Sequence, residues 1–272
     1  MDWNNINEFC KVKARPAREN GSEELPARVK WIVEKLEADG IDYEIESFPA
    51  PLPDYSFNFK FWKDKEKKEE KKPNMLHNVV MKGTSDKMVV AHHDIVNPDS
   101  DNANDNSASV INAIMTKKLR PQTNVVILDG EEGPYLGEGS RHCAERVKKG
   151  DFGNIKWVLN LELTGSGGET FFIGRTHDKS ELGESIKEIF ECPIMSAPFN
   201  DSFSFIAEGI DSININPLPV TEERTSLMHK GQYLKVNMLY NCHSMRDSLS
   251  TISPTDMKDF TEKVICRIID EC

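Results

Sequence analysis

Two spacings of apolar residues divide the chain. Within residues 22–38, Val29, Ile32, Val33 and Leu36 recur at helical intervals, and Gly40 follows as a stop, so the spacing predicts an amphipathic helix. Ile41, Tyr43 and Ile45 then alternate, which predicts a strand over 41–48. The stretch PAPLP at 49–53 is incompatible with a central strand, because proline donates no ladder hydrogen bond. Phe57, Phe59 and Phe61 alternate again, and LHNVVMK at 76–82 reads as a further strand. Between these two runs lie ten consecutive charged residues, 63–72, six lysines and four acids, expected to form an exposed, solvated hairpin tip.

From residue 87 the pattern changes. The apolar runs KMVVAHH, NVVILD and IKWVLNLEL alternate with helical stretches, SVINAIMTKKL and the segment around GSRHCAERVKK. Buried strands joined by crossover helices produce this alternation, so the expected class is α/β. FFIG at 171–174, a helix over 179–191, DSININ at 211–216 and a terminal helix from Thr255 to Ile269 complete the series. Pro254 and a capping Ser253 precede that last helix. No repeat or linker interrupts the chain. The expectation is one domain over residues 1–272, a three-layer α/β/α sandwich around a mostly parallel, twisted sheet.

Composition narrows the partners. The 272 residues carry 34 lysines plus arginines against 45 acids, a net charge of −11. With pI near 5.2, a nucleic-acid or anionic-membrane partner is disfavoured, since both need a cationic face. No window approaches the roughly 18 apolar residues of a membrane span. The first residues, MDWNNINEFC, lack a charged-then-apolar signal pattern, so a cytoplasmic location is expected. The six cysteines are scattered, without a CxxC pair, and are expected to be free thiols.

The ends of the expected strands concentrate the chemistry. VVAHHDI ends in His92, His93 and Asp94; the following loop contains Asp105; VVILDGEEG ends in Glu131 and Glu132; WVLNLELTG ends in Glu162; NCHSMRDS supplies His243. Each alone is ordinary surface chemistry. Their recurrence at successive strand ends is not, because ligands of open α/β sheets bind beyond those ends. Imidazoles and carboxylates without thiolates suit zinc. Two histidines with several carboxylates are enough for two divalent ions, and carboxylates this close are unfavourable without cations between them. A glutamate beside a ligating glutamate is free to act as a base.

Taken in order, His92-His93-Asp94, Asn104-Asp105-Asn106, Glu131-Glu132-Gly133, Asn160-Leu161-Glu162 and His243-Ser244 with Asp247 resemble the di-zinc exopeptidases of the bacterial leucyl aminopeptidase type. Relatives of that family include glutaminyl cyclases and transferrin-receptor-like proteins. The resemblance covers about residues 75–270 and implies a zinc-peptidase (phosphorylase/hydrolase-like) architecture. It implies that Asp105 bridges two zinc ions, with His92 and Glu162 completing one and Glu132 and His243 the other. Asp94 would orient His92, and Glu131 would serve as general base. His93 is left as a neighbour, since consecutive strand residues face opposite ways.

NDSFSF at 200–205 resembles the family's pocket segment, so Asp201 is expected to meet a substrate amino group, and Phe203 or Phe205 to line a side-chain pocket. Three positions depart from the family pattern: Glu162 stands where many relatives have aspartate, Cys242 where a tyrosine often precedes the last histidine, and 133–139 reads GPYLGEG. Tyr240 lies near the missing tyrosine's position. The implied activity is hydrolysis of amino-terminal peptide bonds, on a peptide or aminoacyl substrate with a free amino terminus. The alternatives are a single-zinc glutaminyl cyclase and a non-catalytic binding homologue.

Overall fold

The computed structural model describes residues 1–12, 25–50, 74–133, 135–167, 169, 171–175, 180–190, 192, 194–196, 199–217 and 241–272. The charged run 63–72, the aromatic alternation before it and Tyr240 lie outside these residues.

Among the described residues, eight strands form one sheet in the order β1-β2-β4-β3-β5-β8-β6-β7. They are β1 Glu44–Ala50, β2 Asn74–Met81, β3 Lys87–His92, β4 Asn124–Leu128, β5 Trp157–Leu161, β6 Phe172–Arg175, β7 Ile194–Ser196 and β8 Asp211–Asn216. The centre, β4-β3-β5-β8, is parallel, and β6 pairs parallel with β7. Antiparallel pairing joins β1 to β2, β2 to β4 and β6 to β8. The helices are α1 Ile6–Phe9, α2 Ala27–Ala38, α3 Ala108–Leu119, α4 Glu138–Lys149, α5 Glu181–Phe190 and α6 Ser202–Ala207. At the carboxyl end, α7 Pro254–Asp259 continues through a π-helical segment, Phe260–Ile265, into α8 Cys266–Glu271. Among the described residues no helix is long and apolar enough to cross a membrane.

Period-two side-chain alternation divides the core into two layers. Val79, Val89, Val125, Ile127 and Leu159 face one side and pack with Val29, Ile32 and Leu36 of α2, Ile111 and Ile114 of α3, and Phe260 and Ile265. Val80, Val90, Val126, Leu128 and Val158 face the other and pack with Cys143, Ala144 and Val147 of α4 and Phe205 of α6. Helices therefore cover both faces, as a parallel sheet requires.

Several boundaries differ from the sequence reading. Helix α2 begins at Ala27 rather than residue 22, with Pro26 in the capping position. Strand β1 starts at Glu44 and runs through Pro49, which is tolerated because β1 is an edge strand. The terminal helix starts at Pro254, with the Ser253 hydroxyl accepting from the Asp256 amide at 3.2 Å, and extends to Glu271. Strand β7 and helix α6 were outside the expected series. The six cysteines, all among the described residues, form no disulfide.

The chain leaves β3 for β4 on one side and returns from β4 to β5 on the other. The carboxyl end of β3 is therefore a point where the winding reverses, the usual place for a ligand crevice in such sheets. His92 is the last residue of β3.

Candidate metal centre

Three strand ends and two loops bring the sequence-derived acids and histidines together. His92 Nε2 lies 3.5 Å from Asp105 Oδ1 and 3.5 Å from Glu162 Oε2. The other oxygen of Asp105, Oδ2, lies 3.2 Å from His243 Nε2, which is 2.9 Å from Glu132 Oε1. Two groups of potential ligands result, His92–Asp105–Glu162 and Asp105–Glu132–His243, and Asp105 faces both with separate oxygens. Glu131 Oε2 stands 4.0 Å from His92 Nε2.

These positions are held by hydrogen bonds that cross the molecule. Asp94 Oδ1 lies 3.4 Å from His92 Nδ1. The two oxygens of Asp94 also accept from the backbone amides of Glu131, at 3.2 Å, and Glu132, at 2.8 Å. Asp247 does the same for the bridging loop, accepting from the amides of Asn104 at 2.8 Å and Asp105 at 3.0 Å. The flanking asparagines bind that loop to the end of β5. Asn106 donates to Leu161 O and accepts from Leu163 N, and Asn104 Oδ1 accepts from Gly165 N. Asn160 Nδ2 donates to Glu162 Oε1 at 3.2 Å. Gly139, opening α4 after the Glu131–Glu132 loop, packs so closely that a Cβ would lie 2.0 Å from Asp129 O.

Asp247, Asn104, Asn106 and Asn160 were not singled out for these roles in the sequence. The asparagines either side of Asp105 were the available signal, since amides flanking a buried acid have backbone groups to satisfy. His93 turns away, its Nε2 3.1 Å from His77 O.

The electrostatics fit cations. Burial alone pushes the His92 ring down, but Glu162, Asp105 and Asp94 outweigh it and hold it well above the ordinary range. Hydrogen bonds to Asp105 and Glu132 raise His243 to about 10. Burial and the charge of Asp105 raise Glu132 to about 7, against the pull of His243. Burial raises Glu131 well above the carboxylate range, helped by Glu132, Glu162 and Asp201 and opposed by His92. Carboxylates that crowd together and draw protons onto neighbouring imidazoles form a site short of positive charge. With nitrogen and oxygen donors and no sulfur in either group, the donor set suits a divalent ion of the zinc class.

The expected pocket residues separate. Asp201 is fully buried at the start of α6, caps no helix amide with its side chain, and neither carboxylate oxygen has a hydrogen-bond partner among the described residues. Burial raises it to about 7. Phe203 is half-buried and stacks on the exposed Phe199, ring centroids 5.3 Å apart. Phe205 corrects the sequence reading: it is fully buried in the core beneath α4 and α6, because its turn of α6 faces the sheet. The exposed large apolar residues among the described ones are Leu136, Phe199 and Met245. Leu136 follows the Glu131–Glu132 loop, Phe199 precedes Asp201, and Met245 follows His243.

Residues 78–266 match the family described as peptidase family M28. No curated protein sequence matches. Among solved structures, the LapA aminopeptidase of Legionella pneumophila superposes with TM-score 0.63 at 13% identity, over 99% of this chain and 69% of that one. The glutaminyl cyclase of Porphyromonas gingivalis gives TM-score 0.66 at 16% identity, over 99% of this chain and 96% of that one. BSAP, a zinc aminopeptidase of Bacillus subtilis, gives 0.55 at 18% identity, over 74% of this chain and 51% of its own length. These similarities establish a shared fold.

Proposed function

Because the chain belongs to peptidase family M28, we propose that it is a metal-dependent aminopeptidase, with two zinc ions and a glutamate base cleaving the first peptide bond of substrates with a free amino terminus. The observation that carries this reading is the two-faced Asp105, whose oxygens address His92 and His243 separately. His92, Asp105 and Glu162 would hold one ion; Asp105, Glu132 and His243 would hold the other. When bound, such ions lower the pKa of water toward about 7 and polarise a carbonyl.

The remaining work falls to the chain's own groups. Glu131, held at 4.0 Å from His92 and biased toward binding a proton, takes one from the attacking water and delivers it to the leaving amine. Asp94 positions it by fixing the backbone amides of Glu131 and Glu132. Asp201, a buried carboxylate without a hydrogen-bond partner among the described residues, receives the substrate ammonium. Phe203, Phe199 and Leu136 offer apolar surface to the substrate side chain.

The test combines metal content with turnover on aminoacyl amides carrying free or acetylated amino groups. About two ions per chain, with turnover confined to free amines, is the expected result. Equal turnover of acetylated forms overturns the reading, and one ion with pyroglutamate released from glutaminyl peptides makes the enzyme a cyclase. Glu131→Gln should keep its metal yet lose roughly 10²–10⁴ in kcat.

A further inference from the structure

The structure assigns Arg28, on helix α2, as a positioning residue that pins together the two loops carrying His92 and Asp105 and thereby sets the affinity of the first metal ion. This inference rests on the metal-dependent reading above. Arg28 lies before the segment that matches the family, residues 78–266.

Arg28 is 2% exposed, the first turn of α2 having driven its side chain inward rather than to solvent. It forms no ion pair with a described residue. Nη1 donates to the carbonyl of His93 at 3.1 Å, and Nη2 donates to Ser107 Oγ at 2.9 Å. The guanidinium lies over the Phe9 ring, 4.7 Å from its centroid, and Nε has no hydrogen-bond partner among the described residues.

A buried cation without a carboxylate in contact is unfavourable unless a field of opposite sign surrounds it. Burial pulls the Arg28 guanidinium down to about 10, and Cys10, Asp94 and Asp247 oppose that pull, so two carboxylates that hold the metal-site loops contribute to the field around it. The two acceptors locate its effect. His93 lies between His92 and Asp94, so fixing its carbonyl fixes the end of β3. Ser107 follows Asp105 by two residues, where the bridging loop enters α3. One planar fork spans both, which an ammonium does not reproduce. Neither acceptor lies on the Glu131–Glu132 loop or beside His243.

The test is zinc titration against a chromogenic chelator, with folding followed by circular dichroism, on the wild type, Arg28→Met and Arg28→Lys. Arg28→Met should weaken the first ion about 10–100-fold, the range for losing an outer partner of a metal ligand. Arg28→Lys, keeping the charge but not the fork, should fall between it and wild type, and the second ion should shift less than the first in both. Should Arg28→Met fail to fold, Ser107→Ala deletes one acceptor and keeps the charge, and is expected to weaken the first ion severalfold. Folded variants that bind the first ion as the wild type does, or that weaken both ions equally, overturn the assignment. A wild type that binds no zinc overturns the metal-dependent reading instead.

Discussion

The two ligand groups around Asp105 are built differently. His92 ends β3, Glu162 follows β5, and both are buried, with Glu162 further fixed by Asn160. The other group depends on a loop glutamate and on His243, whose side chain is 53% exposed and whose backbone has a φ of 59°. A left-handed backbone at a histidine is uncommon and implies that its surroundings hold it there. The strand-end group is assembled by the sheet itself, whereas the loop group is assembled by contacts between distant segments. Preorganised ligands bind with less ordering cost, so the strand-end group should fill first.

Four experiments break or sharpen this contrast. Asp105→Ala removes the residue common to both groups and should abolish two-ion binding and turnover together, seen by metal analysis and a peptidase assay. Next in size, His92→Ala and His243→Ala should part company. The first should lose the tight ion, while the second should retain one tightly bound ion per chain, a difference native mass spectrometry reads directly. Asp94→Asn keeps the shape but loses a charged acceptor, and metal affinity should fall about 10–100-fold.

The smallest effect concerns pH in protein stripped of metal. Burial raises Glu132, Asp201 and Asp247 to about 7, and His243 is raised to about 10 by Asp105 and Glu132. The folded chain then binds more protons than the unfolded one across this window, so stability must fall as pH rises. The Tm of chelator-treated protein should decline from about pH 5 to pH 9. Zinc-loaded protein should show a flatter profile, since the ions take the place of those protons. A metal-free Tm that rises over the same range contradicts the charge balance described for the site.

The sequence made the strand ends readable because a buried parallel strand is a short apolar run, and the first polar side chains after it fall at the sheet's edge. His92, Glu131, Glu132 and Glu162 were legible for that reason. Asp105 and His243 sit on irregular segments and were placed by motif order. What stayed hidden depends on separation. Asp247 grips amides 143 and 142 residues earlier, and Arg28 reaches a carbonyl 65 residues away. No local periodicity encodes such pairs. Phe205 was misplaced because two phenylalanines two apart in a short helix point in different directions, and the sequence alone did not reveal that α6 exists. Strand β7 is three residues long, too short to show a period.

Asp94 touches both halves of the site, lying against the ring of His92 and gripping the amides of Glu131 and Glu132. The spacing between His92 and Glu131 is thus set by one side chain, not by the length of the segment that follows. Leu136, exposed between the buried Tyr135 and the left-handed Gly137, is therefore the position of that segment free to change without disturbing this spacing. A scaffold with that separation is suited to remodelling: the exposed surface at Leu136 can change while the candidate metal centre keeps its geometry.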